Sequence, residues 1–130
     1  MAPSGARVLN LSLSGTQSSQ TEANQFRRLR AADVFVVAAM GNEFEEGNPI
    51  EYPAAYSGAH GIAAVDELDR RAPFSNTGPH AFLAAPGVNI LSTAPTTAPA
   101  SGPDDPAFDV LSGTSMATPE GRRAYTEMVV

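Results

Sequence analysis

Hydrophobic and polar positions divide this chain into short alternating elements. Val8-Leu9-Asn10-Leu11-Ser12-Leu13 alternates apolar and polar side chains, the period of a half-buried strand. After the polar turn Ser14–Ser18, Ser19 and Glu22 have capping-box spacing and open a helix. That helix runs to about Ala32, with Ala23, Phe26 and Leu29 on one face. Val34-Phe35-Val36-Val37-Ala38-Ala39 is then continuously apolar and rich in β-branched residues, as a parallel strand covered on both faces requires. Strand, helix and strand make a βαβ unit with a right-handed crossover.

Further strands are predicted at Gly61–Val65 and Ala81–Ala85, the latter stopped by Pro86-Gly87. Asn89–Thr93 and Phe108–Leu111 read as the arms of a hairpin. Their connection, about 94–107, is rich in Pro, Thr and Ala and reads as a mobile surface loop, which Asp104-Asp105 keeps solvated. A last helix starts near Ser115 and reaches 130, with Pro119 expected at its opening. No internal repeat occurs. Two strands apolar on both faces need cover from two layers, and the pattern supplies only two good helices, so apolar surface is expected to stay exposed.

Composition narrows the class. The 130 residues suffice for one core. A net charge of −6 argues against a nucleic-acid partner, which needs a basic surface. Without cysteine there are no disulfides or thiolate metal sites. No apolar stretch reaches the roughly 18 residues of a membrane span, and Met1–Gly5 lacks the basic start and apolar block of a signal peptide. The compartment is left open.

Two strings carry chemistry. Gly113-Thr114-Ser115-Met116-Ala117-Thr118-Pro119 holds a serine hydroxyl at a helix N-terminus, where free N–H groups and the helix dipole favour a developing negative charge. Ala38-Ala39-Met40-Gly41-Asn42 ends an apolar run with a glycine turn and a carboxamide able to donate a hydrogen bond. Alone, the first string is equally a capping loop; together the two suggest acyl transfer.

With Ser12-Leu13-Ser14-Gly15 and Ala84-Ala85-Pro86-Gly87, these strings resemble, in family order, the C-terminal part of the catalytic domain of subtilisin-like serine proteases. The resemblance covers nearly the whole chain. It implies an α/β parallel-sheet subtilisin-like fold that is incomplete, about the C-terminal half of the domain, so that residues 1–130 form a partial peptidase catalytic domain. It implies Ser115 as nucleophile, with the Asn42 side chain and the Ser115 backbone N–H as oxyanion donors. Leu11, Ser12, Leu13, Ser14 and Gly15, with Ala39, Gly41 and Thr114, would bind substrate. Ser14 stands where the family has glycine; it either narrows the pocket or faces solvent. The family is commonly secreted, and structural calcium is frequent in it. Carbonyls around Ala54, Tyr56 and Ala59 resemble a weak cation site; no metal is implied in catalysis.

The chain also departs from the pattern. In the family, the triad aspartate and histidine both precede the oxyanion asparagine. Before Asn42 there is no histidine, and the acids Glu22 and Asp33 belong to the first helix or its end. His60 reads as a histidine at a strand edge and His80 as a solvent-facing turn residue. Glu43, Glu45 and Glu46 either favour a basic substrate side chain or cover a surface turn, the second reading being favoured. Glu120-Gly121-Arg122-Arg123 replaces an apolar buried helix. It reflects either a half-exposed helix or a one-base slip in a run of G, which would turn Glu-Val-Ala-Gly into these residues.

Three functions follow. The first is an incomplete subtilisin-like endopeptidase, inactive alone, with peptide or protein substrates. The second is half of a split protease, the missing part of the domain lying on another chain. The third is a non-catalytic peptide-binding module.

Overall fold

A computed structural model describes residues 5–93 and 108–129. The elements are β1 (Val8–Leu11), α1 (Gln20–Ala31), β2 (Phe35–Ala39), β3 (His60–Val65), β4 (Ala81–Pro86), β5 (Ile90–Thr93), β6 (Phe108–Leu111) and α2 (Thr114–Val129). β1 to β4 form one parallel sheet in sequence order, and β5 and β6 pair as an antiparallel hairpin. The predicted strands and helices are therefore present, as an α/β parallel-sheet arrangement. The connection 94–107, with Asp104-Asp105, lies outside the described residues.

The apolar run of β2 explains the layering. Val36 to Met40 are wholly buried, and their side chains alternate between two small cores. Val37 packs with Ile62, Ala64, Ala72, Ala85 and Ala117; Ala38 and Met40 pack with Ala54. α2 covers the first face and touches all four strands of the sheet. Its approach is close because residue 121 is glycine: a Cβ there would lie 2.9 Å from two carbons of Ile62. Arg122 and Arg123 follow on the exposed side of α2, so the arginine pair is not driven into the core. Cover is incomplete elsewhere, and Leu13, Ile50, Leu68, Leu91 and Val110 are each more than half exposed.

Two expectations about helix starts are corrected. Ser19 is the N-cap of α1, but its side chain makes no capping bond. Instead the Tyr56 hydroxyl accepts the Ser19 N–H at 2.6 Å and donates to Glu22 at 3.0 Å. A distant tyrosine, stacked on Phe26, thus takes the orphan donor that the box residues were expected to satisfy. Second, Pro119 lies inside α2 rather than at its opening. The helix begins at Thr114, as the expected start near Ser115 requires, and the side chain of Asn42 receives the Thr114 N–H.

Candidate active site

β2 delivers its last residues to the carboxyl end of the sheet, where ligands of open α/β sheets bind. There the chain turns at Gly41, whose φ is +102°. A side chain would be strained by this φ, and it would also collide. Its Cβ would lie 2.5 Å from Asn76 Nδ2 and 2.7 Å from Glu51 Oε2. The turn carries Asn42 towards α2. β4 ends beside the same place, and the Gly87 carbonyl accepts the Gly113 N–H at 2.8 Å, docking the start of α2.

Two hydrogen bonds join Asn42 to Thr114, and a third ties Thr114 to Gly41. Asn42 Oδ1 accepts the Thr114 backbone N–H at 2.8 Å and the Thr114 hydroxyl at 3.1 Å. Thr114 Oγ1 accepts the Gly41 N–H at 3.2 Å. Only an oxygen can accept the Thr114 N–H, so the carboxamide orientation is fixed by its partners. Both lone pairs of Oδ1 are used and Nδ2 is left as a donor. It lies 3.6 Å from where a Cβ on Gly113 would stand, alongside the start of α2.

The free N–H groups of α2 can be followed one by one. Thr114 donates to Asn42, while Met116 and Ala117 both donate to the Gly113 carbonyl. The N–H of Ser115 finds no acceptor among the described residues. Ser115 therefore has its hydroxyl beside an unsatisfied N–H at the positive end of α2, next to the residue that Asn42 holds. This is where a negative oxygen would be stabilised best.

The hydroxyl itself has one described partner: Ser115 Oγ donates to the Ser12 carbonyl at 3.2 Å. Neither histidine is near. His60 opens β3 and His80 precedes β4, so both lie at the amino end of the sheet, opposite Ser115. His60 donates from Nδ1 to the Val36 carbonyl at 2.9 Å and packs on Phe35 and Phe82. His80 corrects the expectation of a solvent-facing residue. Its Nε2 is buried without a partner, and burial lowers its pKa below the usual imidazole value.

The residues predicted to bind substrate separate into two groups. Leu11, Leu13, Ser14 and Gly15 line one hollow, of about 590 Å³, with Phe26 and Tyr52. The Ser12 carbonyl accepts the Ser115 hydroxyl instead. Ala39, Gly41 and Thr114 are buried and do not line this hollow. Around the suggested cation site, the Tyr56 carbonyl already accepts the Ala59 N–H at 3.0 Å, and Ala54 is buried. The described residues contain no cluster of three or more acidic or histidine ligands.

Sequence reasoning missed Glu51. It is only 3% exposed. Burial raises its pKa above the usual carboxyl value; the Ser14 hydroxyl opposes this, and the neighbouring Glu43 adds to it. Nothing in Ile50-Glu51-Tyr52-Pro53 announces a buried acid.

The sequence model of the subtilase family matches residues 1–120. The chain belongs to the subtilase family. Among similar proteins, a thermostable alkaline protease of Halalkalibacterium halodurans is 41% identical over 112 residues, 86% of this chain and 28% of that protein. Subtilisin DY of Bacillus licheniformis is 37% identical over 117 residues, 88% of this chain and 39% of that protein. A halolysin-like extracellular serine protease, Nep, of Natrialba magadii is 41% identical over 118 residues, 91% of this chain and 20% of that protein. The chain thus spans less than two fifths of each of these subtilases. Among the described residues, no helix is long and apolar enough to cross a membrane.

Proposed function

We propose that this chain is the part of a subtilisin-like serine endopeptidase that carries the nucleophile and the oxyanion donors. Ser115 Oγ attacks the carbonyl carbon of a peptide bond and forms an acyl-enzyme, which water then hydrolyses. The carbonyl oxygen becomes negative as the carbon turns tetrahedral. It is received by Asn42 Nδ2 and the Ser115 N–H, two donors that are already oriented before the reaction. The observation that carries this reading is the saturation of Asn42 Oδ1 by Thr114, which leaves the amide donor next to the unsatisfied N–H of Ser115.

The proton of Ser115 needs a destination. A peptide carbonyl, here that of Ser12, is far too weak a base to take it. Both histidines face other neighbours. Among the described residues this stretch therefore holds a nucleophile with a prepared anion site and no general base in reach, and by itself its turnover is negligible. Peptide or protein is the substrate class, and an aspartate and a histidine from the rest of the catalytic domain, on the same polypeptide or on another, would complete the site.

A fluorophosphonate probe with intact-mass and peptide mapping tests this. The expected result is slow modification, confined to Ser115 and slowed further by Asn42→Ala. Rapid modification would show a base within reach and contradict the incomplete site. Modification spread over other serines would remove Ser115 from its role.

A further inference from the structure

The turn that carries Asn42 is held on both sides by one other segment. Before Asn42, the Gly41 carbonyl accepts the Asn76 N–H at 3.0 Å; after it, the Phe44 N–H donates to the Phe74 carbonyl at 3.1 Å. Farther along, the Thr77 N–H donates to Asn48 Oδ1 at 2.8 Å, and Asn48 Nδ2 donates to Thr77 Oγ1 at 3.0 Å. Residues 41–48 are thus clamped to residues 74–77, and Asn42 lies between the first two clamps.

The clamping segment needs support of its own, because residues 72–77 lie outside every strand and helix. Towards the sheet, the Ser75 hydroxyl accepts the Ala64 N–H of β3 at 2.9 Å, and the Ala72 N–H donates to the Ala64 carbonyl at 2.9 Å. The remaining hold comes from Arg71. Its Nη1 donates to the carbonyls of Ala72, Pro73 and Ser75 at 2.9 to 3.0 Å. Three carbonyl dipoles aimed at one spot repel one another unless a cation sits there. The same guanidinium lies over the Phe44 ring, its central carbon 3.7 Å from the ring centre, as a cation–π stack. One side chain therefore grips both halves of the Phe44–Phe74 clamp. A planar fork can do this, whereas a lysine ammonium cannot lie flat on a ring and span three carbonyls.

We propose that Arg71 is a positioning residue: by tying the carbonyls of residues 72–75 to the Phe44 ring, it fixes the turn that aims the Asn42 carboxamide at the start of α2. This role rests on the oxyanion reading of Asn42 and extends it to a side chain on the far side of the turn. An arginine that merely closed a surface loop would add stability and nothing else. The two roles differ in where the clamps fall, one on each side of Asn42, with Arg71 on both halves of the second. Without the guanidinium the three carbonyls part, and the Phe44 end of the turn is released. The turn then samples more than one orientation, and the Asn42 donor is correctly aimed for only a fraction of the time.

The test is a double-mutant cycle on the full chain, read by the rate of fluorophosphonate modification at Ser115. Arg71→Ala should slow modification about tenfold, within the cost of displacing a reacting group by about 1 Å. In the Asn42→Ala background the same substitution should change the rate by less than about twofold, because the donor it aims is gone. Arg71→Lys keeps the charge without the planar fork and should slow the reaction about threefold. Hydrogen exchange adds a readout independent of the chemistry. In Arg71→Ala the Phe44 and Asn76 N–H groups should lose about tenfold in protection while the amides of β2 keep theirs. A merely structural Arg71 would lower the rate by the same factor in both backgrounds, or lower protection throughout the chain, and either result overturns the proposal. So would an unchanged rate in Arg71→Ala, or a wild-type rate in Arg71→Lys. Failure of the oxyanion reading looks different: Asn42→Ala alone would leave the rate unchanged, while the Phe44 and Asn76 amides would still respond to Arg71.

Discussion

The two sides of Ser115 are built to different degrees. On the anion side, Asn42, Gly41 and Thr114 hold one another by hydrogen bonds of 2.8 to 3.2 Å, and Gly87 docks the helix start. On the proton side, the hydroxyl meets one peptide carbonyl, and the imidazoles of His60 and His80 lie at the opposite end of the sheet. The difference separates two parts of acyl-transfer catalysis. In the proposed reading, anion stabilisation comes from the Asn42 carboxamide and a backbone N–H held at the end of β2 and the start of α2, which a partial sheet can assemble. Proton transfer needs a titratable side chain at hydrogen-bond distance, which no amount of backbone order replaces.

The largest expected effect tests the proton side. Hydrolysis of a fluorogenic peptide by the chain alone should fall about 10⁶-fold below a complete subtilase, the known cost of removing the triad in a subtilisin. Turnover within tenfold of a complete enzyme would break the comparison. On the anion side, Asn42→Ala should slow fluorophosphonate adduct formation about 10²–10³-fold, again a magnitude measured in a subtilisin. An unchanged rate would mean that the carboxamide does not face the reacting atoms.

Gly41→Ala comes next, since its Cβ would meet Asn76 and Glu51 while φ is positive. A loss of about 3 kcal/mol in denaturant unfolding is expected, from combined strain and overpacking. A loss below about 0.5 kcal/mol, the range of ordinary surface substitutions, would show that this turn is loosely held.

The smallest effects concern the histidines. His60→Gln and His80→Gln should each leave the adduct rate within about twofold, whereas losing a general base costs about 10²–10⁴-fold. His80 should instead affect stability. Its folded-state pKa is depressed by burial, so it stays neutral in the folded chain while the unfolded chain takes up a proton below about pH 6.5. Stability should therefore fall as pH drops through that window, and His80→Gln should flatten this part of the pH dependence of the melting temperature.

Much of this arrangement was legible in the sequence because it rests on local signals. The continuous run Val34–Ala39 marks a doubly covered strand, and β2 is one. Leu11 occupies a strand position that alternation suggests, while Val37, Ile62 and Ala85 lie in the short apolar runs that mark the other strands. The strings around Asn42 and Ser115 were found because a glycine turn and a helix start are written in adjacent residues. Tertiary partners were not legible. Tyr56 replaces the capping box from a distant segment, and Asn42 takes the Thr114 N–H at the start of α2 from the turn after β2. Glu51 and His80 sit in polar stretches that look exposed. Glu51 is buried and His80 half-buried, and each side chain occupies space that a Cβ on Gly41 or Gly78 would claim.

The central claim is a prepared anion site without its base, and added imidazole tests it most directly. The rate of fluorophosphonate modification at Ser115 should rise in proportion to the free-base form of imidazole, and Asn42→Ala should lower the whole line. A rate that ignores imidazole, or an equal response in the Asn42 variant, would contradict the account.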